Sequence, residues 1–187
     1  MKKNIVITGG LGYIGTELCK IYSGYSWNHQ ITVIDNRFVS ERVNQLRNWN
    51  INFVQGDILD KNLVLKYCEN ADIVHHLAGI TDVPRVKSES SDEQDKKIKV
   101  VAETGTQNIL DAIQKNCKII MPSTHVVYEG IKEVKNDILE EEKTNPVLSY
   151  GTSKDINEKQ LKASGKNYII LRLGSVYGYS TDTARID

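Results

Sequence analysis

Tyr150 and Lys154 stand four residues apart in a stretch that reads as a helix, so their side chains share a face. A lysine ammonium beside a phenol favours the phenolate and draws the tyrosine pKa down from its reference of about 10. Such a pair is a general acid and base for an alcohol or a ketone. The spacing alone is weak evidence. Nine tyrosines in a lysine-rich chain produce it by chance, and Tyr128 with Lys132 repeats it. Context separates the two: Tyr128 precedes Glu129-Gly130, where no helix is signalled, whereas Tyr150 follows Pro146 and opens a helical pattern. Ser123 and Thr124 close a strand pattern, at the carboxyl edge where open α/β sheets place ligands. A hydroxyl there could donate to the oxygen on which Tyr150 acts.

The second constellation is Thr8-Gly9-Gly10-Leu11-Gly12-Tyr13-Ile14-Gly15, which follows one apolar run and opens a helical one. Gly10, Gly12 and Gly15 have the G-x-G-x-x-G spacing. The glycines allow a tight turn, a close approach of backbone to a pyrophosphate, and packing of helix on sheet. The helix start then offers unpaired N–H groups and a positive dipole end to phosphates. Asp35 ends the next strand pattern, where the ribose-binding acid of such units falls. A carboxylate there accepts from both ribose hydroxyls of NAD and repels the 2′-phosphate of NADP. Arg37 is the nearby group that could pair with a phosphate instead.

Elements that alternate along the chain must position these groups. Compact Ile/Val/Leu runs at 3–8, 30–35, 51–56, 72–77, 118–122 and 167–173 read as strands. Without strict polar alternation they fit parallel strands buried on both faces. Helical patterns occupy 12–23, 61–70, 91–116 and 150–164. Strands alternating with helices imply an α/β fold, a Rossmann-type doubly wound parallel sheet with helices on both faces. Residues 129–146 lack an apolar period, carry Glu133, Asp137, Glu140, Glu141 and Glu142, and read as a loop. His75 and His76 are adjacent on a strand and therefore point to opposite faces.

Composition narrows the class. A chain of 187 residues fits one domain able to bury roughly 70% of its unfolded surface. Lys+Arg and Asp+Glu are both 24, which argues against nucleic acid or an anionic membrane as partner. Cys19, Cys68 and Cys117 are scattered and odd in number, with no zinc spacing, so no metal site is expected and a reducing, cytoplasmic setting is. No run approaches the ~18 apolar residues of a membrane span.

Taken together, these residues resemble the extended short-chain dehydrogenase/reductase superfamily, in particular its nucleotide-sugar epimerases and dehydratases. Thr8–Gly15 resembles the T-G-x-x-G-x-x-G of that group, Asp35-Asn36 its adenosine-ribose contacts, and Gly56-Asp57-Ile58 the segment that holds adenine. His76-Leu77-Ala78-Gly79 resembles the turn along the cofactor. Gly105-Thr106 matches part of N-V-x-G-T, Ser123 to Tyr128 resembles S-S-x-x-V-Y-G, and Arg172 to Gly178 resembles R-x-x-N-V-Y-G. The resemblance implies that NAD lies along Gly9, Gly12, Tyr13, Ile14, Gly15, Asp35, Asn36, Asp57, Ile58, Leu77, Ala78 and Gly79, meeting Tyr150 and Lys154. Tyr150 would take the proton of a sugar hydroxyl, Lys154 hold the nicotinamide ribose, and Thr124, with Ser123, bind the reacting oxygen. The substrate would be a nucleotide-sugar, and two copies would pair through the long helix and the Tyr150 helix.

Departures are informative. His125 and Val126 stand where dehydratases and decarboxylases place acids, which disfavours elimination and leaves an epimerase, or a dehydrogenase or reductase with net turnover. Glu129 replaces a glycine, Ser175 an asparagine, and Val101 or Ala102 another asparagine. Relatives continue into a C-terminal substrate domain, so residues 1–187 are expected to be the NAD-binding Rossmann domain alone, from a longer protein. A non-catalytic NAD-binding sensor or scaffold is the remaining alternative, opposed by retention of Tyr150, Lys154 and Thr124.

Overall fold

The computed structural model describes residues 2–81, 91–133 and 136–178. Six strands, β1 (Asn4–Thr8), β2 (Gln30–Asp35), β3 (Asn52–Gln55), β4 (Ile73–His76), β5 (Lys118–Thr124) and β6 (Asn167–Leu173), form one sheet. All neighbours are parallel, in the order β3-β2-β1-β4-β5-β6. The order reverses between β1 and β4, the switch point at which open α/β sheets bind ligands. Thr8 pairs with Ile34 on one side and His76 on the other, so the glycine loop leaves the sheet between two strand ends.

Five helices cover the sheet: α1 (Tyr13–Ser23), α2 (Ser40–Asn48), α3 (Lys61–Cys68), α4 (Asp92–Ala112) and α5 (Ser149–Ala163). The pleat sorts side chains onto two faces. Ile5, Ile7, Ile31 and Val33 meet Cys19, Val43 and Leu46 on the α1–α2 side. Val6, Ile34, Val74, Ile119 and Met121 meet Val64, Ile109 and Leu161 on the α3–α4–α5 side. β5 and β6 are less evenly covered. Ile169 and Leu171, on the face away from Met121, are 38% and 43% exposed.

The expected alternation of strand and helix is present, with shifts at the ends. β5 runs on through Ser123 and Thr124, which pair with Arg172 and Leu173. The long helix stops at Ala112 because Ile113 turns extended and enters the core. α2 was not expected. It is short and mostly polar, and only Val43 and Leu46 carry its apolar contact, too few for a periodic signal. His75 and His76 diverge as adjacent strand residues must: His75 meets the Tyr22 hydroxyl at 2.7 Å, and His76 bridges Thr8 and Thr106. Among the described residues no helix is long and apolar enough to cross a membrane.

Ile109 is wholly buried where α4 meets the sheet. Ile109→Ala is expected to cost about 2–5 kcal/mol, read as a lowered urea midpoint at unchanged slope.

Candidate active site

The glycine loop is shaped by contacts that leave no room for a side chain. Gly9 has φ +71°, and a Cβ on it would lie 2.7 Å from the Ala78 amide nitrogen. At Gly15 a Cβ would fall 2.5 Å from the Gly9 carbonyl oxygen, and at Gly10 2.6 Å from Val33 Cγ1. Gly12 differs: a Cβ there would meet the Gly9 oxygen at 3.2 Å and an Arg37 terminal nitrogen at 3.8 Å. Protein packing therefore demands Gly9, Gly10 and Gly15, while Gly12 is tight to a lesser degree, its Cβ position pressing on the Gly9 carbonyl oxygen. Bare backbone at the start of α1 is what a phosphate approaching a helix N-terminus needs. Tyr13 and Ile14 occupy the first turn of α1, the Tyr13 hydroxyl donating to the Gly178 carbonyl at 2.5 Å.

Asp35 is buried at the end of β2. Its two oxygens accept from the Leu11 and Arg37 amides, each at 3.0 Å. The carboxylate thus ties the glycine loop to the sheet, and its remaining lone pairs are the ones a ribose could use. Asn36 reaches across to Asp57 at 3.1 Å, and Asp57 also accepts from the Leu59 amide at 2.9 Å. Ile58 packs on Gly105, where a Cβ would strike it at 2.3 Å. On the other side the Leu77 amide donates to the Thr8 carbonyl (3.1 Å) and the Ala78 amide to the Thr8 hydroxyl (3.3 Å). Gly79 lies beside Lys154, whose Nζ is 4.0 Å from where a Cβ would stand. The residues expected along the dinucleotide are therefore gathered on one edge of the sheet, in the order Asn36 and Asp57, glycine loop, Lys154.

α5 brings Tyr150 and Lys154 to the same edge. Lys154 Nζ lies 5.9 Å from the centroid of the Tyr150 ring and donates to the Pro122 carbonyl at 3.1 Å. Burial lowers its pKa to about 8. Thr124, two residues beyond Pro122, is buried, and its hydroxyl oxygen accepts from the Val126 amide at 3.2 Å, leaving the hydroxyl proton to donate elsewhere. Ser123 points differently: its hydroxyl donates to Glu158 at 2.6 Å. Tyr128, the competing tyrosine, stacks with Arg172, the guanidinium carbon 5.1 Å from its ring centroid, and donates to the Leu139 carbonyl at 3.1 Å.

Several contacts that hold the site are not legible in the sequence, although some of their residues lie in its motifs. Glu158 is buried and forms a fork with Arg172, at 2.9 and 2.6 Å, that ties β6 to α5. Burial opposes its charge, but the bonds from Arg172 and Ser123 outweigh that and hold its pKa below the usual range. Its place four residues after Lys154 was the available clue. His76 joins the Thr8 and Thr106 hydroxyls at 2.9 Å each, and Asn157 of α5 adds 2.9 Å bonds to Thr106 and the Ala102 carbonyl. Burial, then the nearby Lys154 charge, lowers the His76 pKa to about 3, so the imidazole stays neutral. Buried Arg42 of α2 donates to the Leu11 carbonyl. Glu129 accepts the Val147 and Leu148 amides at 2.6 Å each, fastening the approach to α5. Among the described residues, no three His, Cys, Asp or Glu side chains form a metal-holding group.

A doubly wound sheet with a glycine loop leading into α1 at its switch point and a tyrosine–lysine pair on the same edge defines a dinucleotide-binding α/β protein. The chain belongs to the NAD dependent epimerase/dehydratase family, which matches residues 5–186. It is 30% identical over 190 residues to UDP-glucose 4-epimerase of Mycoplasma genitalium, covering 95% of this chain and 54% of that protein. It is 33% identical over 132 residues to UDP-N-acetyl-alpha-D-glucosaminuronate decarboxylase of Bacillus cytotoxicus, covering 68% and 38%. The crystal structure of UDP-glucose 4-epimerase from Brucella ovis in complex with NAD superposes with a TM-score of 0.72 at 30% identity, covering 91% of this chain and 51% of that one. The chain spans about half the length of the curated relatives it matches.

Two outcomes follow from the geometry. Gly15→Ala should destabilise the fold by about 1–3 kcal/mol through overpacking. Gly12→Ala, whose added Cβ makes a looser contact (3.2 Å) than that of Gly15→Ala (2.5 Å), should cost less than Gly15→Ala yet weaken dinucleotide binding tenfold or more, as calorimetric titration would show. For Lys154 the sign is set by a folded pKa of about 8 against about 10.4 unfolded. The unfolded chain holds more protons between those values, so this group makes stability rise with pH across that window. Urea midpoints at intervals from pH 7 to pH 10 should show that rise in wild type relative to Lys154→Met.

Proposed function

We propose that this chain carries the cofactor-binding half of an NAD-dependent epimerase that acts on a nucleotide-sugar by removing hydride from one carbon and returning it to the opposite face. The observation that carries the reading is the buried Lys154 ammonium, 5.9 Å from the Tyr150 ring and anchored on Pro122 at the end of the strand that delivers Thr124. NAD, when bound, supplies a hydride acceptor that gives the hydride back within the same turnover.

The chain's own residues handle the proton and the geometry. Tyr150 takes the proton from the sugar hydroxyl and later restores it, with Lys154 favouring the phenolate. Thr124 donates its free hydroxyl proton to the same sugar oxygen as charge develops there. Ser123, committed to Glu158, holds the end of β5 in place rather than reaching substrate. Gly12 and the start of α1 take the phosphates, Asp35 the adenosine ribose, and Asn36, Asp57 and Ile58 the adenine side. The carboxylate of Asp35 favours NAD over NADP.

Epimerisation is preferred to elimination because His125 and Val126 follow Thr124, and the nearest following carboxylate, Glu129, is engaged by the Val147 and Leu148 amides. The same reading takes the chain as an NAD-binding domain whose nucleotide-sugar pocket needs further residues, and pairs two copies through α4 and α5.

Tyr150→Phe should lower epimerase turnover of a nucleotide-sugar by roughly 10²–10⁴-fold, followed by chromatography of the product sugars. Undiminished turnover sinks the assignment of Tyr150, and stoichiometric build-up of NADH would point to a dehydrogenase instead.

A further inference from the structure

We infer that Glu129 is a positioning residue for Tyr150: its side chain caps α5 from outside the helix and so holds the phenol within reach of Lys154 and Thr124. The inference rests on the roles proposed above for those three residues. α5 begins without a cap of its own, because Leu148, the residue before it, offers no side-chain acceptor. Its first amides would otherwise lack a protein partner. Glu129 supplies one from 18 and 19 residues earlier in the chain. A single oxygen, Oε1, accepts from both the Val147 and the Leu148 amide at 2.6 Å each. The fit extends into the helix: a Cβ on Gly151, next to Tyr150, would lie 3.3 Å from the same oxygen. Glu129 is exposed, where water screens charge, so the two bonds matter more than its sign.

Glu129 also ends the short 3-10 turn His125–Tyr128, which Thr124 opens. One turn of chain therefore joins the hydroxyl offered to substrate with the carboxylate that fixes the helix of the tyrosine. Asn145 closes the same junction. Its amide donates to the Val127 carbonyl, and its carbonyl accepts from the Gly130 amide, each at 2.8 Å. Tyr150 lies in the first turn of α5, whereas Lys154 stands a turn further in, buried and anchored on the Pro122 carbonyl. Helix ends fray before their interiors. Fraying here would carry the phenol away from an ammonium that stays in place. The other titratable groups at this turn are occupied differently. Asp95 of α4 accepts from the Ser149 hydroxyl, Tyr128 donates to the Leu139 carbonyl, and His125 Nδ1 lies 3.3 Å from the Leu173 carbonyl.

The test compares Glu129→Gln with Glu129→Met. Both are uncharged and similar in length, but only the amide keeps a carbonyl oxygen in the place of Oε1, a thioether sulfur being a weak acceptor. The Tyr150 pKa is read by carbon-13 NMR of the ring carbon that bears the hydroxyl, its signal assigned by loss in Tyr150→Phe. Tyr150 should titrate about half a unit or more higher in Glu129→Met than in Glu129→Gln, because a frayed turn forfeits the ammonium. Glu129→Gln should stay at or slightly below wild type, and the Gly151 amide should exchange with solvent severalfold faster in Glu129→Met alone. Loss of charge without fraying would instead lower the pKa equally in both variants. That outcome, or a Glu129→Met value below wild type, overturns the inference. Should Glu129→Met fail to fold, Glu129→Ala makes the same comparison with Glu129→Gln. A Tyr150 pKa that responds to Lys154→Met but is alike in the two Glu129 variants defeats this inference only. A Tyr150 pKa that Lys154→Met leaves unmoved defeats the tyrosine–lysine reading and this inference together.

Discussion

Backbone meets backbone at the switch point of the sheet, and the rest of the site is arranged around that approach. Gly9 turns left-handed directly after β1 because the Ala78 amide lies where a side chain would be. Gly15 then lets the first turn of α1 press on the Gly9 carbonyl. Two short missing side chains thus decide where the helix begins and where its unpaired amides point. Asp35 and Arg42 hold the same loop from the side by the two polar ends of the Leu11 peptide. Gly12 is held less tightly than the other three loop glycines, its Cβ position 3.2 Å from the Gly9 carbonyl oxygen.

The interior on the α3–α4–α5 side is unusually polar for a core. Lys154, Asn157, Glu158, Thr106 and His76 are all buried there. Buried polar groups are costly unless satisfied, and these are satisfied by one another: Glu158 by Arg172 and Ser123, Thr106 by His76 and Asn157. The arrangement fixes α5 against β5 and α4 at several points on one side of the helix. Tyr150 and Lys154 ride on that helix, so a polar interior that contributes little net stability contributes placement. Keeping His76 neutral and Lys154 close to its titration range belongs to the same economy of charge in a dry region.

Much of this was legible without coordinates. The glycine spacing, Asp35 at the end of the second strand run and the Tyr150–Lys154 pair are local patterns whose meaning depends on periodicity alone, and periodicity survives in the sequence. The choice of Tyr150 over Tyr128 rested on helix against turn, also a local matter, and Tyr128 does lie in a short 3-10 turn with its ring under Arg172. α2 was missed because two inward residues, Val43 and Leu46, make no period.

Sequence by itself determined the class of fold, the glycine loop between the first strand and α1, and the helical spacing that puts Tyr150 and Lys154 together, since each depends on neighbours within a turn or two of chain. Tertiary structure alone decided which hydroxyl remains to donate. Ser123 and Thr124 are adjacent and chemically alike, but alternation along β5 sends one to Glu158, 35 residues away, and leaves the proton of the other uncommitted. It also decided that Arg37 reaches Gly12, that Arg42 holds Leu11, and that Glu129 fastens the entry to α5. Those contacts join segments far apart in the chain, and no local pattern records them.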